Sequence, residues 1–353
     1  MINPGLLPDP RRYGAGDHPL LRLAGDDLRR ELEKVLRGGL DAEITAAMHV
    51  ASSHAARASL WDAVCDVAHR GAPKSTVVTR IFALPLVIIT GSSRPASLPG
   101  VVPDIATITS LFEQHGALGK TKNFGIGNAL CSFETLDGVT PAEVYAWSAA
   151  VGGARRELEP AAIEIAGPGE QVHLRFLAGA AITAASEPSF VETAANIGAW
   201  GMPLTRALGA QLNQPGVEVL PLARPPLDLL RAAHAGRVAQ LETAFNLFAS
   251  NAVRRFRAST GDPVAIFAAH DDGELRVGLS SPFDDTLEGF RWPLHPLDDI
   301  EAIVASMTAL FAKCRVNDIR CAEKVLPALG AQGQARFPGV RDADESASDL
   351  QPH

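Results

Sequence analysis

Lysine is scarce in this chain. Only six of its 353 residues are lysine, at positions 34, 74, 120, 122, 313 and 324, which leaves 26 of the 32 basic residues as arginine. With the weight of alanine and glycine, that reads as the codon bias of a GC-rich bacterial genome and carries no functional information. Cysteine is as sparse. Cys65, Cys131, Cys314 and Cys321 are scattered, with no C-x-x-C pair to supply the paired ligand spacing of a zinc site, so no metal is expected. The first residues, Met1-Ile2-Asn3-Pro4-Gly5, contain no basic stretch leading into an apolar one, so they do not read as a secretory signal. Four reduced thiols in a cytoplasmic protein follow as the expectation. The longest apolar run, 81–89, is interrupted by Pro85 and falls far short of the roughly 20 residues a membrane helix needs, so no membrane association is expected.

Catalytic signatures are missing as well. No G-x-S-x-G elbow, no H-E-x-x-H pair and no G-x-G-x-x-G after a strand occurs. No cofactor is expected, and the sequence leans away from an enzyme. The formal net charge of −8 argues against a protein whose main work is coating nucleic acid or docking on an anionic bilayer.

What is present is ordinary globular material, 46% hydrophobic and 20% charged. Residues 1–17, rich in Pro, Gly and Arg, read as an extended arm. Apolar residues at helical spacing predict helices over 20–36 and 41–69, a helical N-terminal hairpin stopped by Gly71 and Pro73. The β-branched run 76–90 predicts a buried strand. Helices follow over 103–115, 141–150, 189–212 and 296–313. The alternating runs 162–166 and 172–177 around Gly167-Pro168-Gly169, and 264–269 and 275–279 around Asp271-Asp272-Gly273, predict two β-hairpins. The longest element is an amphipathic helix over 227–257. Helices and strands cluster instead of alternating, which gives an α+β fold with mixed or antiparallel sheet pieces. An N-terminal region 18–155, a C-terminal region 156–330 and a disordered tail 331–353 complete the expected organisation.

Three stretches are candidate sites. Gly116-Ala117-Leu118-Gly119-Lys120-Thr121 resembles a Walker A loop only in part, because Gln114 stands where the first glycine is required. A weaker phosphate reading survives: Gly116, Gly119, Lys120, Thr121 and Lys122, with Gly125 and Gly127, combine a permissive backbone with two of the six lysines, within the stretch 116–128. The bland alternative is a solvated connecting loop. On the long helix, Leu241, Phe245, Phe248 and Phe256 belong to an apolar stripe that needs a covering surface, either the chain's own core or a partner subunit. Arg254, Arg255 and Arg257 close that helix, where cations complement the helix dipole; a nucleic-acid contact is the sharper and less favoured reading.

These readings lead to a non-catalytic, protein-binding subunit of a bacterial cytoplasmic multi-protein assembly, paired with a partner protein or with further copies of itself. The alternatives are an enzyme or sensor for a phosphorylated small molecule at 116–128 and, third, a nucleic-acid-associated subunit.

Overall fold

A computed structural model describes residues 17–70, 76–91, 97–98, 100–118, 121, 123–149, 163–164, 170–184, 197–213, 215–219, 227–283, 285–322, 324–330, 332–340 and 342–343. The fold is α+β, about half helix and a quarter strand. The chain divides into two compact units, 1–240 and 241–353. The division falls within a helix.

Unit 1 begins with helices α1 (Gly25–Arg37), α2 (Asp41–Val50) and α3 (His54–Arg70). The single helix expected over 41–69 is two, parted at Ala51, whose backbone turns extended. The Ser53 hydroxyl then accepts from the Ala56 N–H at 3.2 Å and caps the new helix. The β-branched run forms strand β1 (Val77–Thr90), followed by the short β2 (Ser97–Leu98), α4 (Ile105–His115), β3 (Phe124–Cys131), α5 (Phe133–Asp137) and α6 (Pro141–Ala149). Then come β4 (Ile163–Glu164), β5 (Gln171–Ala184), α7 (Ile197–Leu212), β6 (Val217–Val219) and β7 (Leu227–Asp228).

The main sheet runs β3-β5-β1-β6, with β7 also on β1. Its spine is an antiparallel ladder in continuous register from Val77↔Ala184 to Thr90↔Gln171. The turn of the hairpin expected around Gly167-Pro168-Gly169 lies outside the described residues; of the described flanks, β4 pairs with β2, and β5 pairs with β1 and β3. Pro85 lies in β1 between the stretch paired with β7 at Phe82–Ala83 and the stretch paired with β6 at Ile88–Thr90. Gly179 lies directly across from Phe82, and a Cβ there would come within 2.4 Å of the ring. Phe82, Leu84, Leu86 and Ile88 share a buried core with Phe112 of α4 and with Trp200, Leu204 and Leu208 of α7. Phe112 meets Trp200 edge to face at 5.7 Å.

The long helix α8 (Leu229–Ser259) starts in unit 1 and ends in unit 2. Within unit 1, Gly236 lets it pass close to the Phe176 ring and Pro85, where a Cβ would approach the ring to 2.8 Å. Unit 2 continues with β8 (Val264–Ala269), β9 (Glu274–Ser280), β10 (Leu287–Pro293), α9 (Ile300–Lys313) and β11 (Ile319–Cys321). The hairpin expected around Asp271-Asp272-Gly273 is present as β8–β9, with Gly273 at φ +76°. β10 adds antiparallel to β9, and β11 adds parallel to β8, which makes this sheet mixed.

Period-2 alternation gives the two faces of that sheet different covers. On one face Ala265, Phe267, Leu275, Val277, Leu279 and Trp292 join the core formed with α8 and α9. On the other, Val264 and Ile266 pack against Val340 and Ala343. Val340 and Ala343 belong to the stretch from 331 that the sequence reads as a tail; 331, 341 and 344–353 lie outside the described residues. The expected arm 1–17 falls outside the described residues except for Asp17.

Candidate functional site

The phosphate stretch is only partly described. Gly116 is the left-handed C-cap of α4 at φ +60°, the position a glycine serves best. The Thr121 N–H donates to the Leu118 carbonyl at 3.3 Å. Gly119, Lys120 and Lys122 lie outside the described residues. From Phe124 onward the stretch is strand, not loop: Gly125 pairs with Ala180 in β3, so its backbone serves a sheet.

The α8 stripe is covered within unit 2. Phe245 stands edge to face with Phe290 at 5.3 Å and with Phe311 at 5.2 Å. Phe256 is fully buried, and Leu241 and Phe248 are half-buried against the same cluster. The three arginines have local partners. Arg255 grips Glu288 through two nitrogens, Arg257 Nε donates to Asp262 at 2.7 Å and to the Arg315 carbonyl through Nη2 at 2.9 Å, and Arg254 reaches Asn251 Oδ1 at 3.0 Å. A phosphate would compete with a carboxylate already in place at two of the three.

Two polar clusters that the motifs did not reveal are more organised. The first, in unit 1, centres on Arg231. Asp228 caps α8, accepting from the Arg231 N–H at 2.9 Å, and its second oxygen receives Nη1 at 2.6 Å. Nη2 reaches Asp66 Oδ1 and Asp62 Oδ1, both at 3.1 Å, so one guanidinium ties the start of α8 to α3. Burial opposes that charge, but the carboxylates, Asp228 foremost, hold Arg231 above the usual arginine range. Cys65 and His69 lie beside it, and Cys-His-Asp is a nucleophile's inventory. The geometry denies that use. His69 Nδ1 donates to the Cys65 backbone carbonyl at 2.8 Å, and Asp228 Oδ1 stands 3.9 Å from the same nitrogen, beyond hydrogen-bond reach. Burial, then the neighbouring Asp228 charge, pushes the Cys65 thiol well above its ordinary value. Burial alone raises Cys131 to about 11. Neither is a thiolate near neutral pH, and the thiolate is the reactive form.

The second cluster, in unit 2, surrounds Arg276, which is 1% exposed. Nε donates to Glu274 Oε2 at 2.8 Å, Nη2 pairs with Asp272, and Nη1 reaches the carbonyls of Ala328 at 2.6 Å and Arg336 at 2.7 Å. The guanidinium also lies 5.9 Å from the Phe337 ring centre. Glu274 accepts a second arginine, Arg291, through both oxygens at 2.6 and 2.7 Å. Those bonds, led by Arg291, hold the Glu274 carboxyl below the usual range. The signal for this cluster was in the sequence: Glu274 and Arg276 alternate along β9, one face of a strand, between acidic Asp272 and cationic Arg291. Recognising the pattern required knowing that this face is covered.

Among the described residues no group of three or more His, Cys, Asp or Glu side chains could hold a metal ion, and no helix is long and apolar enough to cross a membrane. The architecture defines an α+β protein of two units with two saturated ionic clusters. Compared with known proteins, the chain matches no family model, no curated protein and no solved structure.

Proposed function

We propose that the chain is a non-catalytic, protein-binding subunit of a bacterial cytoplasmic assembly, and that its contact surface includes the β9–β10 loop of unit 2. The observation that carries this reading is Phe283, whose side chain is 82% exposed at the tip of that loop. The loop is shaped locally: the Phe283 N–H donates to the Ser281 hydroxyl at 3.1 Å. Leu287, at the start of the next strand, is also exposed, as are Ile300, Val325 and Leu329 elsewhere in the unit. Single exposed aliphatic residues are commonplace, but a phenylalanine four-fifths in water forgoes about 1.5–3 kcal/mol of burial. Tyr, Trp and Phe are the residues enriched at interface centres. The half-buried Leu241 on α8 is a further candidate for that surface, whereas Phe245, Phe248 and Phe256 pack in the unit's own cluster.

The test is a photo-reactive phenylalanine analogue at position 283 of the full chain in its native host, with the same analogue at Arg29 as a control. A discrete adduct formed at 283 and not at 29, and lost on dilution of a purified partner or of the chain itself, supports the reading. No adduct at 283 in cells, with a monomer by light scattering at high concentration, removes it. The phosphate reading of 116–122 and the nucleic-acid reading of Arg254, Arg255 and Arg257 rest on the sequence alone.

A further inference from the structure

Residues 326–330 and 332–340 lie on the sheet of unit 2 on the face away from α8 and α9, and the first attachment points converge on one histidine. The Leu326 N–H donates to the Ala269 carbonyl at 2.9 Å, the Asp271 N–H donates back to the Leu326 carbonyl at 3.1 Å, and Leu326 bridges His270 as a parallel pair. The Ala328 N–H donates to Asp271 Oδ1 at 2.8 Å. Arg276 then holds the carbonyls of Ala328 and Arg336, and the Arg336 N–H closes a small loop onto the Ala328 carbonyl at 3.0 Å. Beyond it, the strap settles on two glycines. A Cβ on Gly278 would come within 1.9 Å of the Pro338 carbonyl oxygen, and one on Gly289 within 2.1 Å of the Phe337 ring.

His270 is 4% exposed. Its Nδ1 lies 3.0 Å from the Pro327 carbonyl, which can only accept, so Nδ1 carries the hydrogen. Nε2 is buried and has no hydrogen-bond partner among the described residues. A neutral ring tolerates this, because an unprotonated nitrogen only forgoes an acceptor contact. A second proton would create a buried N–H with no acceptor and place a cation near Arg276 and Arg336. Asp272 is the carboxylate that would offset it, but Asp272 already pairs with Arg276, Asp271 holds the Ala328 N–H, and Glu274 holds Arg276 and Arg291.

We propose that the strap 326–340 is a pH-sensitive cover, closed while the His270 imidazole is neutral and released when the ring takes a second proton. Release is the route to relief because the strap holds the ring through the Pro327 carbonyl, and a strap that lets go frees the ring to turn Nε2 toward water. What it uncovers is the face bearing Val264 and Ile266, which Val340 and Ala343 otherwise keep dry. The sign agrees with the balance of forces on the ring: burial first, then Arg276 and Arg336, lower its proton affinity against the opposing Pro327 carbonyl and Asp272. A folded-state value below the free one leaves closure intact at neutral pH. The cover weakens as pH falls below about 6.5, where a free imidazole begins to charge, and the loss is complete at the lower folded value. This device does not depend on what the chain binds.

The experiment is hydrogen exchange on the full chain from pH 7.5 to 5.0, corrected for intrinsic rates, reading the amides of Leu326, Ala328 and Arg336 against those of α9. Exchange of the strap amides should accelerate by up to tenfold per pH unit below about 6.5, the limit for one titrating group, while α9 stays protected. His270→Asn keeps a donor toward Pro327 without titrating and should flatten the profile. A flat wild-type profile overturns the proposal, as does the same acceleration persisting in H270N, which would assign it to the carboxylates. Should H270N not hold the strap at pH 7.5, the wild-type imidazole titration followed by nitrogen NMR decides: its midpoint must coincide with that of the strap amides, and a mismatch of a unit or more rejects the link.

Discussion

Arg276 concentrates most of the buried charge of unit 2, and its surroundings show why arginine and not lysine stands there. Five N–H groups in a flat fork serve two carboxylates and two carbonyls at once, a geometry that a compact ammonium cannot match. Arg276→Met should cost about 3–5 kcal/mol, because it leaves the buried Glu274 with Arg291 alone and takes the donor from the Ala328 and Arg336 carbonyls. Urea unfolding followed by circular dichroism reads that loss. Glu274 has its own pH signature. Its carboxyl is held below the usual range, so its contribution is in full force above the ordinary glutamate value near 4.3 and is lost as pH falls through the lower folded value. Glu274→Gln should therefore be less stable than wild type at pH 7, with the gap closing toward pH 3. Glycines separate in the same way. Gly278→Ala drives a methyl into the Pro338 carbonyl and should cost about 1–3 kcal/mol, whereas Gly125→Ala meets nothing within 4 Å and should be neutral or slightly stabilising.

At the scale of elements, α8 shows how one amphipathic helix is divided between tasks. Its first turns are fixed by Asp228 and Arg231 and by the close approach at Gly236; its later turns contribute Phe245, Ala249, Ala252, Val253 and Phe256 to the core of unit 2. The aromatic contacts there are edge to face, which adds to plain area burial. Phe245→Ala should cost about 3–5 kcal/mol. Phe248→Glu should unfold unit 2 instead of splitting an assembly, since Phe248 packs 5.6 Å from Phe290 and 6.2 Å from Phe245 and an unpaired charge there is hard to tolerate. Phe283→Ser, by contrast, should leave the melting temperature unchanged and abolish only the proposed partner contact. Calorimetry on the three variants, beside light scattering, distinguishes a core role from a surface one.

For the whole molecule, the legible parts were those governed by local pattern. The 3.6-residue periodicity of α8, the β-branched run of β1, the Asp-Asp-Gly turn of β8–β9 and the glycine stop of α4 each depend on neighbours within a few residues, and each stands within a few residues of its expected place. Pairing does not depend on neighbours. β5 lies some 90 residues from β1, yet the two pair in continuous register from Val77↔Ala184 to Thr90↔Gln171. Among the described residues no helix is long and apolar enough to cross a membrane, and local periodicity determined an α+β inventory of elements. Only the tertiary structure decided which charges are buried, because Arg276 finds its carbonyl partners 52 and 60 residues away. Long-range closure, unlike helical period, leaves no local trace: the free energy that selects it comes from area and hydrogen bonds that exist only once both segments have met.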